Sequence, residues 1–105
     1  MSLDESSFHT IADHFLSEIA DRIEDALGDD LDVELQGGIL TIELEDGRQF
    51  IVNKHAPNRQ VWLSSPVSGA WHFGYQDGRW IATKDASVEL RELLGQELGT
   101  DLSEG

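Results

Sequence analysis

The hydrophobic period of the chain changes twice, and this change limits the folds available to it. Apolar residues recur at three- and four-residue steps from Phe8 to Leu27, which is the period of an amphipathic helix. From Leu31 to Leu44 apolar and polar residues alternate, as they do in strands with one buried face. Helical spacing returns with the leucines between Leu90 and Leu98. The chain therefore predicts a helix, a set of strands and a second helix.

Short turn signals divide the middle of the chain into strands. A Gly-Gly pair at 37–38 and Asp-Gly pairs at 46–47 and 77–78 are typical of tight hairpin turns. The two prolines of the chain mark the other loops. We therefore expect about six strands within residues 31–83, joined as an antiparallel meander.

The sequence also marks the ends of the first helix, which is expected over about residues 6–27. Ser6 or Ser7 can act as its N-cap, because a hydroxyl oxygen accepts a hydrogen bond from a free N–H of the first turn. Gly28 follows the last apolar position and is expected to end the helix.

The second helix is expected over about residues 86–98, with Asp85 or Ser87 as its N-cap, and the tail 99–105 is expected to fray. The whole chain, residues 1–105, has the length of one domain. The predicted fold class is α+β, a two-layer α-β sandwich. Both helices pack on one face of the antiparallel sheet and leave its other face partly open.

The negative charge of the chain is concentrated in its first half. Of the net charge of −14, residues 1–46 carry −13, because fourteen acids there are balanced only by Arg22. Residues 47–105 carry −1. Nucleic acid and anionic membrane surfaces are unfavourable partners for such a chain, because their phosphates are repelled.

Several classes of protein are excluded by what the sequence lacks. Without cysteine, the chain forms no disulfide and no thiolate metal site, so a bound metal needs oxygen and imidazole ligands. It has no apolar run long enough to span a membrane, and the residues SLDESS after Met1 do not have the basic and apolar pattern of a signal peptide. We expect a cytoplasmic protein, or one of the mitochondrial matrix if a transit peptide has been removed.

Carboxylates line the polar face of the first helix and continue into the first strand. Neighbours at i,i+3 and i,i+4 repel one another on a helix surface, and a bound cation relieves this repulsion. Surface carboxylates and imidazoles of this kind suit hard or borderline cations such as Fe²⁺, Fe³⁺, Mn²⁺, Ca²⁺ or Mg²⁺, held weakly at several exchangeable sites. A solvated face that aids solubility, and a patch for a basic protein surface, are the alternatives. This acidic ridge consists of Asp13, Glu18, Asp21, Glu24, Asp25, Asp29, Asp30, Asp32 and Glu34.

Motifs for an enclosed metal centre or for hydrolysis are missing. The sequence contains no Glu-x-x-His pair, EF-hand loop or His-Glu-x-x-His motif. Ser64, Ser65 and Ser68 could be placed beside His55 or His72, but they lie among turn signals and have no nucleophile elbow. Loop and capping roles are expected for these serines.

Trp62 lies on the polar side of its predicted strand. Alternation from Gln60 to Ser64 places Val61 and Leu63 on one face and Trp62 on the other. An outward tryptophan is either a contact for a partner or a ring covered by neighbouring loop side chains.

The central segment NKHAPNRQVWLSSPVSG, residues 53–69, closely resembles the signature of the frataxin family. The similarity extends over nearly the whole chain, through LDESSF at 3–8, the Gly-Gly turn before Leu40 and Thr41, GRW at 78–80 and ELLGQEL at 92–98. The resemblance implies an α-β sandwich and a role in iron-sulfur cluster biogenesis.

The resemblance also implies weak binding of Fe²⁺ or Fe³⁺ at the acidic ridge, with no tightly bound cofactor. The positions that match the iron-binding residues of the family are His9, Asp13, Asp21, Glu24, Asp25, Asp29, Asp30 and Asp32.

The partners implied by the resemblance are the cysteine desulfurase and the iron-sulfur scaffold protein. The corresponding contacts on the sheet are Asn53, Gln60 and Trp62, with Arg59 beside them. We expect a regulator that is a monomer without iron and forms oligomers with it, rather than an enzyme. Ferroxidase and iron-storage activity, or an acidic protein-binding module with incidental metal binding, are the alternatives.

Overall fold

The computed structural model describes residues 4–102 and places two helices on one face of a six-stranded antiparallel sheet. The strands follow one another in the sheet in the order of the chain, so the predicted meander and fold class are confirmed. The elements are α1 Glu5–Leu27, β1 Asp32–Gln36, β2 Ile39–Glu43, β3 Gln49–His55, a 3₁₀ turn Ala56–Asn58, β4 Gln60–Ser65, β5 Gly69–Gln76, β6 Arg79–Ala82 and α2 Leu90–Leu98.

The N-cap of helix α1 lies two to three residues earlier than its serines predict. Asp4 is the N-cap, and its Oδ1 accepts a hydrogen bond of 2.7 Å from the backbone N–H of Ser7. This hydrogen bond lowers the pKa of the Asp4 carboxyl. The expected N-cap at Ser6 or Ser7 is therefore wrong, because an ionised carboxylate is available just before the helix and also suits the positive end of its dipole. At the other end, the N–H of Gly28 donates to the carbonyl of Glu24.

Helix α2 starts later than expected, with Glu89 as its N-cap. The Glu89 carboxylate accepts from the N–H groups of Arg91 and Glu92. Asp85 accepts instead from Ser87 in a turn. The chain then pairs back onto β6, through an isolated bridge between Glu89 and Ile81, before the helix can begin. The expected N-cap at Asp85 or Ser87 is wrong for this reason.

The Gly-Gly turn between β1 and β2 fixes the register of the first hairpin. Gly37 and Gly38 have φ values of 60° and 80°, as a two-residue type I′ turn requires. Gln36 is therefore paired with Ile39, and four residues further back Asp32 lies opposite Glu43.

The hydrophobic core lies between the helices and the inner face of the sheet. Its largest buried side chains include Phe8, Phe50, Phe73 and Trp80. Leu102, in the tail that was expected to fray, is only 2% exposed and belongs to this core. The expectation is wrong for residues 99–102, because Leu102 packs beside α2, while residues 103–105 lie outside the described range. Within residues 4–102 no helix has the length and apolar character needed to cross a membrane.

Candidate functional site

The acidic ridge follows the exposed side of α1 and crosses to β1. Asp21, Glu24 and Asp25 are exposed near the end of the helix, and Asp29 and Asp30 are exposed in the turn that follows. Asp32 opens β1. Within residues 4–102 none of these six carboxylates forms a salt bridge. Their charges therefore remain available to a cation or to a basic surface.

Strand β2 and the turn after it add two carboxylates that were not among the predicted ligands. Glu43 lies opposite Asp32 in the sheet, and Glu45 follows it in the next turn. Together with the turn after α1 they line a shallow cavity of about 230 Å³. The Gly-Gly turn was the signal that could have revealed them, because its register places β2 beside the start of β1.

Among the described residues, Asp13 is the one predicted ligand on α1 that is paired with a base. Its Oδ1 accepts a hydrogen bond of 2.7 Å from Nζ of Lys54, a residue of β3 that lies 41 positions away. The aliphatic part of Lys54 passes over Gly38, where a Cβ atom would come within 2.8 Å of the Lys54 side chain. A cation at Asp13 must therefore compete with the Lys54 ammonium group.

His9 lies at the start of the ridge, on the first turns of α1. Its Nε2 is 3.9 Å from Oε2 of Glu5. Its Nδ1 is buried and has no hydrogen-bond partner within the described residues. Across residues 4–102, no three histidine, aspartate or glutamate side chains are grouped so that they could hold one metal ion. The predicted ligand set is thus spread along the surface, and its iron sites stay a prediction.

Glu18, on the inner side of the ridge, is held between the two helices. Its two carboxylate oxygens accept hydrogen bonds of 2.7 and 3.2 Å from Arg91 of α2, and Arg22 donates a third of 2.9 Å. The hydrogen bond from Arg91, supported by Arg22, lowers the pKa of Glu18 to about 2. Because Glu18 binds both arginines, it serves the packing of the helices rather than a metal site.

On the other face of the sheet, Trp62 is the middle ring of a stack of three. The indole lies between the imidazoles of His55 and His72, with ring centroids 3.7 and 4.1 Å apart and nearly parallel planes. Its Nε1–H donates a hydrogen bond of 2.8 Å to Oε1 of Gln60. Trp62 is half-buried, while Val61 and Leu63 are buried on the opposite face, as alternation predicted.

Register explains how these residues meet, although they come from three strands. Asn53 of β3 and His72 of β5 both lie opposite Trp62 of β4, and His55 lies opposite Gln60. The two histidines were not among the residues predicted for this surface, because their proximity to Trp62 depends on the pairing of β3 and β5 with β4. Arg59 is directed elsewhere, since its guanidinium donates to the carbonyl of Ala56 in the 3₁₀ turn.

Ser65 has the local role expected of the loop serines. Its Oγ accepts hydrogen bonds from the N–H groups of Val67 and Ser68 and donates one to the Glu97 carboxylate. Ser65 is therefore engaged in a turn.

This fold, with its acidic ridge and its Trp62 stack, is that of a known class of protein. The family model described as the frataxin-like domain matches residues 1–104, and this chain belongs to that family. The iron-sulfur cluster assembly protein CyaY of Vibrio cholerae serotype O1 is 42% identical over 95 residues, which are 90% of this chain and 88% of that protein. The resemblance found in the sequence is confirmed.

Solved structures of the family have the same fold. Frataxin from Psychromonas ingrahamii superimposes with a TM-score of 0.87 at 29% identity, over 97% of this chain and 100% of that one. The ferrous complex of trimeric frataxin from the yeast Saccharomyces cerevisiae gives a TM-score of 0.69 at 30% identity, over 94% of this chain and 86% of that one.

Proposed function

We propose that this protein is a cytoplasmic, non-enzymatic regulator of iron-sulfur cluster assembly that binds iron weakly and acts on the complex of cysteine desulfurase and scaffold protein. The observation that carries the proposal is the presence of two different surfaces on one small domain of the frataxin family. The acidic ridge lies along α1 and β1, and the Trp62 stack lies on the outer face of β3, β4 and β5. We assign iron and a basic surface of the desulfurase to the ridge, and the scaffold to the stack.

The charge of the ridge supports the first assignment. Asp21, Glu24 and Asp25 are neighbours on the helix surface, and the single base of the first 46 residues, Arg22, is turned toward Glu18. Carboxylates on a convex surface give a cation few protein ligands, so the ion keeps several waters and exchanges readily. The same unpaired charges attract a basic protein surface and speed its encounter.

Binding to the purified desulfurase tests the partner assignment. We expect association in the micromolar range or tighter, weakened by the double substitution Glu24→Gln/Asp25→Asn. The matched control, Asp77→Asn/Glu92→Gln, removes the same charge from exposed positions outside the ridge and should bind like the wild type. A protein that does not associate with the desulfurase or with its scaffold complex, with or without iron, contradicts the proposal.

Titration with Fe²⁺ under anaerobic conditions tests the metal assignment separately. We expect NMR signals of residues 9–32 to shift or broaden gradually, as several weak sites fill. The signals of β4 and β5 should not change. A titration that leaves the ridge signals unchanged favours the alternative of an acidic protein-binding module.

A further inference from the structure

The Trp62 stack offers a partner the edges of its rings, because both faces of the indole are covered. His55 covers one face at a centroid distance of 3.7 Å, and His72 covers the other at 4.1 Å. The indole N–H is already used by Gln60. A partner ring therefore cannot stack on Trp62 without first displacing an imidazole.

The rim of this stack favours acceptors with negative charge. The edge of an aromatic ring carries the positive part of its quadrupole, and an imidazole has one N–H donor when neutral and two when protonated. Nδ1 of His55 is buried and has no partner among the described residues, so this ring can reach a partner protein only through Nε2. His72 is exposed, so its ring is accessible at the surface. Carboxylates and backbone carbonyls can accept hydrogen bonds from the imidazole N–H groups at this rim, whereas basic or purely apolar groups cannot.

The strands around the stack have no negative charge that would oppose this preference. Although the chain has 21 acids, the residues of β3, β4, β5 and β6 include no aspartate or glutamate. The charged groups on these strands and in the turns that join them are Lys54 on the inner side of β3, Arg59 after the 3₁₀ turn, Asp77 in the turn between β5 and β6, and Arg79 on β6. The outer face of the sheet is thus divided into an acidic part on β1 and β2 and a part without carboxylates that holds the stack.

We propose that His55 and His72 are specificity-determining residues of this face: with the Trp62 rim they bind a carboxylate-bearing loop of a partner protein, more tightly when the imidazoles are protonated. This inference rests on the proposed function and specifies the chemistry of its second surface. The acidic ridge selects a basic surface, and the stack selects an acidic one. The two surfaces therefore favour opposite charges on the partner complex.

The affinity of the purified desulfurase and scaffold complex, measured at about pH 8 and about pH 6, tests this inference. Histidine gains its charge in this range, and a surface ion pair contributes modestly, so we expect about three- to tenfold tighter binding of the wild type at the lower pH. His55→Gln/His72→Gln should bind with little dependence on pH. His55→Phe/His72→Phe keeps two flat rings beside Trp62 but no N–H donor, and it should also lose the pH dependence.

His14→Gln is the matched control, because it removes an exposed histidine from α1 and leaves the stack intact. It should keep the pH dependence of the wild type. If both double variants keep that dependence and the wild-type affinity, the inference is overturned while the proposed function stands. If the wild type does not bind at either pH, the proposed function is contradicted, and so is the inference that rests on it.

Discussion

Glu18 connects α1 to α2 by hydrogen bonds. Its carboxylate binds Arg91 of α2 with two hydrogen bonds, and the same guanidinium donates to the carbonyl of Leu102 at 2.8 Å and lies over the Phe15 ring. A single carboxylate thereby connects both helices and the C-terminal segment. Removing its charge weakens an ion pair of a guanidinium whose side chain is only 11% exposed.

We expect Glu18→Gln to lower the free energy of unfolding by about 1–2 kcal/mol at neutral pH. Folding lowers the pKa of Glu18 from 4.5 to about 2, so the ionised form stabilises the fold above the higher value. This stabilisation is lost as the pH falls toward the lower value. Urea denaturation of wild type and variant at several pH values should show a difference that shrinks on acidification. Glu92→Gln, at an exposed position of α2, is the control, and an equal loss there would contradict the prediction.

Trp62 and Trp80 should respond differently to the same substitution. Trp80 is 2% exposed and contacts Phe8, Phe15 and Tyr75, so Trp80→Ala is expected to cost about 3–5 kcal/mol. Trp62→Ala removes only the stack on the outer face, for which about 1–2 kcal/mol is expected. Chemical denaturation measures both values, and a loss for Trp62→Ala as large as that for Trp80→Ala would place Trp62 in the core.

Single residues were predictable from the sequence where their neighbours are near in the chain. The direction of Trp62 followed from alternation within one strand, and the turn role of Ser65 followed from the residues beside it. His55 and His72 were not assigned to the stack, because they reach Trp62 only through the pairing of three strands. The Lys54 partner of Asp13 was also missed, since the contact depends on how α1 crosses the sheet.

At the scale of elements, the C-terminal segment after α2 is part of the fold. Gly99 and Thr100 both donate to the carbonyl of Gly95, which turns the chain back toward the helix. A Cβ atom on Gly95 would come within 2.7 Å of the Thr100 carbonyl, so the segment packs directly on the helix backbone. Leu102 then enters the core.

We expect Leu102→Ala to lower the free energy of unfolding by about 2–5 kcal/mol, because it leaves a cavity among buried side chains. Val67→Ala is a suitable comparison, since Val67 is 60% exposed and its truncation should change stability by no more than about 0.5 kcal/mol. Chemical denaturation of both variants gives the two values. Similar small changes in the free energy of unfolding of both variants would mean that Leu102 does not pack into the core in solution.

The order and type of the elements could be predicted because each hydrophobic period persists over several helical turns or a whole strand. The ends of the helices were harder to predict, since several polar residues compete to cap a helix. At α1 the carboxylate of Asp4 prevailed over two serine hydroxyls. At α2 the pairing of the preceding segment with β6 delayed the start to Leu90, which no local pattern indicates.

At the scale of the whole molecule, the uneven charge opposes the compact state. Residues 1–46 hold nearly all of the net charge of −14, and folding brings the turn after α1 beside β2. Raising the ionic strength from about 0.01 to about 0.1 M shortens the Debye length from about 30 to about 10 Å, which screens this repulsion. We therefore expect the Tm of the isolated protein to rise by several degrees, equivalent to about 1 kcal/mol.

Thermal unfolding in NaCl followed by circular dichroism measures this effect. A variant with Asp21→Asn, Glu24→Gln, Asp25→Asn and Asp29→Asn should have a higher Tm at low salt and a smaller response to added salt. A Tm of the wild type that falls with salt, or a variant that responds as strongly as the wild type, would contradict repulsion along the ridge.

The agreement between chain order and strand order affects how the molecule can be assembled. Each of the five strand pairings joins segments that are adjacent in the chain, so the sheet can grow one hairpin at a time as the polypeptide leaves the ribosome. The apolar stripe of α1, although synthesised before the strands, has no surface to cover it until β2 and β3 have emerged. The growing chain therefore exposes this stripe until those strands have emerged, and the many carboxylates on the opposite side of α1 help to keep it dissolved during that interval.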